Sequence, residues 1–402
     1  MKNKVLFTDV VWFQEGPGIR LNQYTSTGIK LLNVSNLTNG KIDLSTSDRY
    51  ISKEEAYGKY KHFLVDENDF IIASSGIKVD YFEKKMGFVQ KKDLPLCMNT
   101  STIRFKSLNK AILDIRYFMY FLKSNEFKRQ LSKQITGSAQ LNFGPSHLKK
   151  MFIPLIPLLE QKKIVNILDK INSLINTQEE RMKACDLLVN SRFTELCGDP
   201  ISNPFKWEKK KIAEVCTKIG SGATPKGGKA SYISEGISLI RSMNVHNGYF
   251  KYDELAHISE KQAKELQNVC IEENDVLLNI TGASVARSCV VPNNILPARV
   301  NQHVSILRAN LQILDPIFLN LVLINDNYQH YLLSVSESNG ATRQALTKQQ
   351  IENLVIPIPP LECQSRMACY FKRINKSKIA DLITFLLKLY LKLLRLVFGL
   401  LG

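Results

Sequence analysis

The chain repeats its own sequence at a nearly constant spacing. The phrase IPLIPLLEQ returns about two hundred residues later as IPIPPLECQ. Three pairs of matched segments carry the repeat: 29–40 with 237–248, 66–76 with 272–282, and 153–161 with 356–364. The offset drifts only from 208 to 203 residues between the first pair and the last. A duplication of this length predicts two domains of one fold rather than a single continuous core.

Each copy divides into a mixed segment followed by a helix. Short apolar runs broken by Gly, Asn and Asp predict an α/β (α+β) domain in each mixed segment. The prolines of the repeated phrase favour extended chain, so the phrase is interpreted as a hinge before a helix. The predicted boundaries are 1–150 for the first domain, 151–198 for hinge and helix, 199–206 for a linker, 207–353 for the second domain and 354–402 for the second hinge and helix.

Both helices carry a heptad pattern. Apolar residues at steps of four and three run along the first helix: Ile164, Leu168, Ile171, Ile175, Met182, Cys185, Val189 and Leu196. Such a stripe is typical of a coiled-coil seam. A surface helix packed on its own domain is the alternative for either helix taken alone. Two matching helices instead predict an antiparallel coiled coil that separates the domains, with pseudo-twofold symmetry.

Composition narrows the partner class. The chain has 54 basic and 37 acidic residues, a formal charge of +17 that suits phosphate backbones or anionic membrane surfaces. The eight cysteines form no C-x-x-C pair and no zinc-type spacing with histidine, so we interpret them as reduced packing residues. The N-terminal sequence lacks the apolar core of a signal peptide. We therefore expect a cytoplasmic protein.

The order of these features resembles the specificity subunit of type I restriction–modification systems. The resemblance covers nearly the whole chain and is carried by Leu6–Ile19, Asn36–Gly40, Gly137–Gln140 and Pro157–Gln161 in the first copy, and by Trp207–Pro225, Asn244–Gly248, Gly340–Gln344 and Pro360–Gln364 in the second. It departs from the family pattern at Cys363, which stands where the first copy has Glu160. The leucine-rich tail after Ile383 is a second departure.

The resemblance implies two target recognition domains, each reading one half of an asymmetric, bipartite site in double-stranded DNA. It implies that the coiled coil fixes the gap between half-sites and that two methyltransferase subunits dock on it. In the family, motor-nuclease restriction subunits can also join the complex. The chain itself is then noncatalytic and binds no cofactor, since S-adenosylmethionine, ATP and magnesium belong to the partner subunits.

Polar, basic loops are the candidate DNA contacts. They comprise Arg20, Lys78, Lys226, Lys229 and Arg287, which suit phosphates, and Asn33, Gln140, Arg241, Arg343 and Gln344, which suit base edges. Asn33 and Arg241 occupy matching positions and differ between copies, as readers of different bases would. The alternative is that these two residues cap strand ends, and that the loop around Lys226 is simply a mobile surface loop.

Two other function classes are less well supported. A self-contained methyltransferase or nuclease would need a cofactor or metal motif, and the sequence has no G-x-x-x-x-G-K-[ST] phosphate loop and no H-E-x-x-H. A membrane span across residues 382–401 is disfavoured by Lys388, Lys392 and Arg395 near its middle. The wide apolar surface of this tail instead predicts a binding face centred on Leu387 and Leu394, and the resemblance implies that a methyltransferase helix covers it.

Overall fold

Both copies of the repeat fold into the same sheets, in a computed structural model that describes residues 3–76, 79–134, 142–337, 344–374 and 376–399. The first copy has strands Asn3–Leu6, Val11–Glu15, Ile29–Leu32, Leu37–Thr38, Lys41–Ile42, Tyr50–Ile51, Phe70–Ala73, Met86–Phe88, Leu96–Met98, Thr102–Ser107 and Phe152–Leu155. The second has strands Glu208–Lys211, Cys216–Ser221, Ile237–Ile240, Val245–His246, Tyr249–Phe250, Ala256–Ile258, Val276–Asn279, Ser288–Val290, Ala298–Val300, Val304–Ala309 and Val355–Ile358. The duplication in sequence is therefore a duplication in structure.

A four-stranded antiparallel sheet forms the centre of each domain. In the first domain its order is Val11–Glu15, Thr102–Ser107, Phe70–Ala73 and Met86–Phe88. In the second domain its order is Cys216–Ser221, Val304–Ala309, Val276–Asn279 and Ser288–Val290. The third strand of each sheet is buried along its whole length. This burial explains why the sequence shows continuous apolar runs there rather than alternation.

A three-stranded sheet accompanies each central sheet. Ile29–Leu32 pairs in parallel with Leu96–Met98, and Ile237–Ile240 pairs in parallel with Ala298–Val300. A parallel pair needs a long crossover. In both domains that crossover supplies two strands of the four-stranded sheet, so one stretch of chain ties the two sheets together.

Short helices surround the sheets, and long helices follow each domain. The short helices are Phe7–Val10, Lys53–Tyr57, Ile115–Leu122, Asn125–Gln134, Pro145–Leu148, Ile212–Val215, Glu260–Glu265, Pro316–Ile324, Asp326–Glu337 and Lys348–Glu352. The long ones are Leu158–Cys197, here called the central helix, and Leu361–Ile374 and Lys376–Phe398, here called the C-terminal helices. The chain divides into a first unit, residues 1–174 with 386–402, and a second unit, residues 175–385. Each unit thus contains one domain and a piece of both long helical segments.

The repeated phrase is extended chain before it becomes a helix, as its prolines predict, and the extended part is a paired strand. Phe152–Leu155 pairs with Asn3–Leu6, and Val355–Ile358 pairs with Glu208–Lys211. Proline is tolerated here because each of these sheets has only two strands. The missing proline N–H therefore removes no hydrogen bond from a central strand. The Tyr117 hydroxyl donates to the Pro154 carbonyl at 2.9 Å. The phrase therefore closes each domain by pairing its end with its beginning.

The apolar stripe predicted for the central helix faces inward. Leu168, Ile171, Ile175 and Val189 are buried, and the other predicted seam residues are half-buried. In the second unit, the Arg192 guanidinium lies 5.8 Å from the ring of Tyr370, and Cys197 Sγ lies 3.7 Å from Cys363 Sγ. The contacting residue in the C-terminal segment therefore comes earlier in the chain when the contacting residue in the central helix comes later. The two helical segments of this unit are therefore antiparallel neighbours.

In the first unit, the end of the C-terminal helices completes the domain core. Phe398 is fully buried, with its ring 5.2 Å from Tyr117 and 5.6 Å from Phe121. The buried positions Leu386, Tyr390, Leu394 and Phe398 recur every four residues and form one face of the helix. The prediction that Leu394 lies on an exposed partner-binding face is therefore wrong. Leu394 is 4 % exposed because it lies on this inward face, whereas Leu387 is 43 % exposed.

Candidate nucleic-acid interface

Three segments of the first domain meet at one end of its four-stranded sheet. They are the loop after Phe70–Ala73, the turn before Thr102–Ser107, and the chain from Asn142 to Gly144. The backbone N–H of Ser74 donates to the Ser101 carbonyl at 2.8 Å, and the N–H of Phe143 donates to the Ser74 carbonyl at 3.0 Å. The Ser75 hydroxyl donates to Asn142 Oδ1 at 2.6 Å. Loops that are far apart in sequence thus form one continuous surface.

The second domain repeats this meeting of loops with the same backbone bonds. The N–H of Ile280 donates to the His303 carbonyl at 3.0 Å, and the N–H of Leu346 donates to the Ile280 carbonyl at 2.8 Å. The N–H of Gly282 donates to the Gln344 carbonyl at 3.0 Å. Two segments singled out from sequence, 281–287 and the end of 340–344, are therefore brought together.

A glycine lets a fourth segment approach each of these surfaces. A Cβ at Gly16 would lie 2.0 Å from the Asn99 carbonyl oxygen, and one at Gly222 would lie 1.7 Å from the Val300 carbonyl oxygen. These separations are far shorter than van der Waals contact, and the atoms approached belong to the backbone rather than to a side chain that could rotate away. Only glycine therefore fits at either position, and the loops that follow, towards Arg20 and Lys226, begin beside the turn.

A buried asparagine anchors the turn in each domain. Asn99 is 1 % exposed and accepts the N–H groups of Thr100 and Ile19 on its Oδ1, at 2.8 and 3.2 Å. Asn301 is 7 % exposed and accepts the N–H of His303 at 3.1 Å. Because each amide is buried and hydrogen-bonded, its role is to fix the backbone of the turn.

Asn33 belongs to this anchoring network, which corrects its predicted role as a base reader. It is buried, its Oδ1 accepts from Asn99 Nδ2 at 2.9 Å, and its own amide donates to the Leu31 carbonyl at 3.1 Å. The alternative interpretation, a residue at a strand end with a structural task, holds here. The matching Arg241 is half-buried, stacks on Tyr232 at 5.7 Å and donates to the Glu254 carbonyl.

The remaining predicted contacts fall into two groups. Arg20 and Lys226 are exposed, Arg287 is half-buried, and Lys229 lies in the short 3-10 helix Gly228–Ser231. The Gln344 amide donates to Glu337 Oε1 at 2.7 Å. Lys78, Gln140 and Arg343 lie outside the residues that the structure describes, so their roles stay predictions.

Two acidic features near the surface have structural explanations. Partial burial raises the pKa of Glu15, which ends the first strand of the sheet.

The repeated E-N-D motif at the far end of the sheet forms a turn in which Asn68 and Asn274 both adopt φ of 68°. Asp69 and Asp275 close these turns by accepting backbone N–H groups at 2.8 and 2.7 Å. This motif therefore repeats because it shapes a turn.

Four side chains at the centre of the converging loops were not among the contacts predicted from sequence. They are Thr100 and Ser101 in the first domain and Gln302 and His303 in the second. Each pair directly follows the anchoring asparagine. The signal was present, since L-P-x-x-x-N occurs at 94–99 and again at 296–301. Both copies place a cis proline at the same point of this segment.

No cluster of three or more His, Cys, Asp or Glu side chains suited to a metal ion occurs among the described residues. Within the same part of the chain, no helix is both long and apolar enough to cross a bilayer. All eight cysteines are free thiols.

The family model described as the type I restriction modification DNA specificity domain matches twice, at residues 7–184 and 204–384. The MjaVIII specificity subunit of Methanocaldococcus jannaschii is 21 % identical over 327 residues, covering 78 % of this chain and 74 % of that protein. The EcoKI specificity subunit of Escherichia coli K12 is 19 % identical over 375 residues, covering 86 % and 75 %.

A solved structure supports the fold. The crystal structure of the S subunit of a type I restriction–modification system from M. genitalium aligns with a TM-score of 0.59 and 14 % identity. The alignment covers 98 % of this chain and 96 % of that one. Two α/β domains in tandem with long helices are therefore the architecture of both chains.

Proposed function

Since the chain belongs to the family of type I restriction–modification DNA specificity proteins, we propose that each of its two domains reads one half of an asymmetric, bipartite DNA site. The observation that carries this proposal is the repeated loop surface. The same backbone bonds, anchoring asparagine and close-approach glycine recur in both domains. The side chains displayed on that framework differ between the copies.

The two tasks of DNA recognition fall to different residues. Exposed cations such as Arg20 and Lys226 supply phosphate contacts, which position the duplex and make binding sensitive to salt. Polar side chains on the turn supply contacts to base edges, which carry the sequence information. Because the second set differs between domains, the two half-sites differ in sequence.

The long helices supply the spacing and the partner surface. The central helix Leu158–Cys197 joins the two domains in sequence, so its length would fix the gap between half-sites. The helix Lys376–Phe398 exposes large apolar residues on two sides, with Leu387 and Leu391 on one side and Leu382, Phe385 and Leu396 on the other. Exposed apolar side chains in this number are typical of a protein interface. It is the surface on which methyltransferase subunits would dock.

The chain is a noncatalytic component of its complex. S-adenosylmethionine would bind to the methyltransferase subunits, and ATP and magnesium would bind to a restriction subunit where one is present. Incubation of the purified chain with DNA and S-adenosylmethionine should therefore give no methylation. Methylation by the chain alone would contradict the noncatalytic assignment.

The direct test of recognition is methylome sequencing of cells that express the chain with its cognate methyltransferase. We expect one bipartite motif, with two different half-sites and a gap of fixed length. A continuous or palindromic motif would contradict the proposal, because two different readers on one chain cannot generate it.

A further inference from the structure

The turn that follows the buried asparagine is the strongest candidate for the part of each domain that selects bases. We propose that Gln302 and His303 in the second domain, and Thr100 and Ser101 in the first, determine the sequence of their respective half-sites. This inference rests on the proposed function and assigns it to four side chains. None of them was among the contacts predicted from sequence.

Matching backbone bonds hold the first residue of the turn in both domains. The N–H of Asn99 donates to the Leu32 carbonyl at 3.1 Å, and the N–H of Asn301 donates to the Ile240 carbonyl at 3.0 Å. The turn then leads directly into the second strand of the four-stranded sheet. Side chains carried on a backbone held by strand bonds are presented in one orientation, which base discrimination requires.

The turn also lies at the centre of the converging loops. The turn contacts the loop after the third strand in both domains, through the Ser101 and His303 carbonyls. In the second domain its side chains also reach two flanking loops. Gln302 accepts from the Thr224 hydroxyl, and His303 Nδ1 lies 2.6 Å from Thr281 Oγ1. The turn therefore sits between segments that bear the candidate phosphate contacts Lys226 and Arg287.

The buried residue of the turn is the same in both copies, whereas the exposed residue that follows it differs. Asn99 and Asn301 are identical and buried, whereas the next residues, Thr100 and Gln302, are different and exposed. A purely structural turn has no need for a long amide in one copy and a short hydroxyl in the other. Gln302 can donate and accept at once, which matches the N6 and N7 edge of adenine in the major groove. Thr100 offers one hydroxyl and one methyl group.

The hydrogen bonds of Gln302 also allow a structural role, in which its side chain links Thr224 to His303. Its Nε2 lies 3.2 Å from His303 Nε2. The two roles separate under Gln302→Glu. Glutamate keeps an acceptor for the Thr224 hydroxyl but loses the amide donor, and its carboxylate suits the N4 amino group of cytosine rather than adenine. If Gln302 reads a base, this substitution therefore changes the preferred base. If Gln302 has only a structural role, the substitution changes only the stability of the domain.

The experiment compares Gln302→Glu with Gln312→Glu in complex with the cognate methyltransferase. Gln312 is exposed and lies beyond the opposite end of the same strand, Val304–Ala309, so it controls for added charge. The readouts are the methylated motif and the melting temperature of each variant. We expect Gln302→Glu to shift the preferred base at one position of the second half-site by about tenfold or more. The first half-site and the gap should stay unchanged, and Gln312→Glu should match the parent.

A reciprocal variant keeps the inference testable if Gln302→Glu fails to fold. Thr100→Gln lengthens the exposed side chain of the first domain, and we expect it to alter only the first half-site. An unchanged motif in a folded Gln302→Glu or Thr100→Gln complex would overturn the inference. Equal loss of methylation across all sequences would overturn it as well. If the parent complex gave no bipartite motif, the proposed function itself would be wrong, and that result is distinct from both.

Discussion

The amide of Gln161, the last residue of the first repeated phrase, binds the start of a helix that lies 47 residues earlier. Its Oε1 accepts the backbone N–H of Asp114 at 2.9 Å, and its Nε2 donates to the carbonyls of Ile112 and Ile156 at 2.8 and 2.7 Å. Gln364 repeats all three bonds with Asp315, Ile313 and Pro359, at 2.8, 3.0 and 2.8 Å. Both glutamines are fully buried. The repeated phrase therefore fastens the beginning of each long helical segment to its own domain.

Replacing either glutamine should destabilise its domain. Gln161→Ala or Gln364→Ala leaves one N–H and two carbonyl groups without their partner in a buried site. A loss of a buried hydrogen-bond partner costs about 1–3 kcal/mol. We expect the free energy of unfolding, measured by denaturant titration, to fall by at least that amount. Gln349→Ala, at an exposed helical position, is the control and should have little effect. Equal stability of all three variants would show that these bonds contribute nothing.

The packing of Phe398 predicts that the last helix stabilises the first domain. Phe398→Ala removes a fully buried ring that contacts Tyr117 and Phe121. Such truncations cost about 3–5 kcal/mol. Hydrogen exchange should show faster exchange in Ile115–Leu122, far away in sequence. Leu396→Ala, where the side chain is 49 % exposed, is the matched control. Exchange that stays unchanged in Ile115–Leu122 would contradict the packing.

The thiols of Cys197 and Cys363 should form a disulfide under oxidation. Their sulfurs are 3.7 Å apart, and the reaction with oxidised glutathione converts two thiols to one disulfide and releases two glutathione thiols. Burial raises the pKa of the Cys197 thiol, so little thiolate is present at neutral pH. We therefore expect the reaction to accelerate steadily as the pH is raised through the alkaline range. Peptide mapping identifies the linked pair, and Cys363→Ser should abolish it. Linkage of Cys197 to another cysteine would contradict the antiparallel arrangement in this unit.

The two leucines of the predicted partner-binding face should now behave differently. Leu387→Glu places a charge on an exposed face, so the chain should fold and lose copurification with the methyltransferase. Leu394→Glu buries a charge among Leu386, Tyr390 and Phe398, so it should lower the melting temperature of the chain itself. Normal copurification of Leu387→Glu would show that the partner docks elsewhere.

The features of this fold that could be predicted from sequence are those with a periodic signal. The duplication and the central-helix seam were predictable because repeats and heptads leave a pattern that can be counted. The inward orientation of Leu394 was not predictable, since a helix that is apolar on most of its surface has no unique buried face. That Asn33 is buried and Thr100 exposed was equally unpredictable from local sequence. Which of two polar residues is buried depends on long-range contacts, here between Asn33 and Asn99, that local sequence does not encode.

The central claim is that two independent readers on one chain recognise two different half-sites. Its most direct test replaces residues 1–150 with the corresponding domain of another family member and sequences the methylome of cells carrying the hybrid complex. We predict that one half-site changes completely, while the other half-site and the gap between them are retained. A hybrid that alters both half-sites while still methylating DNA would contradict independent reading by the two domains.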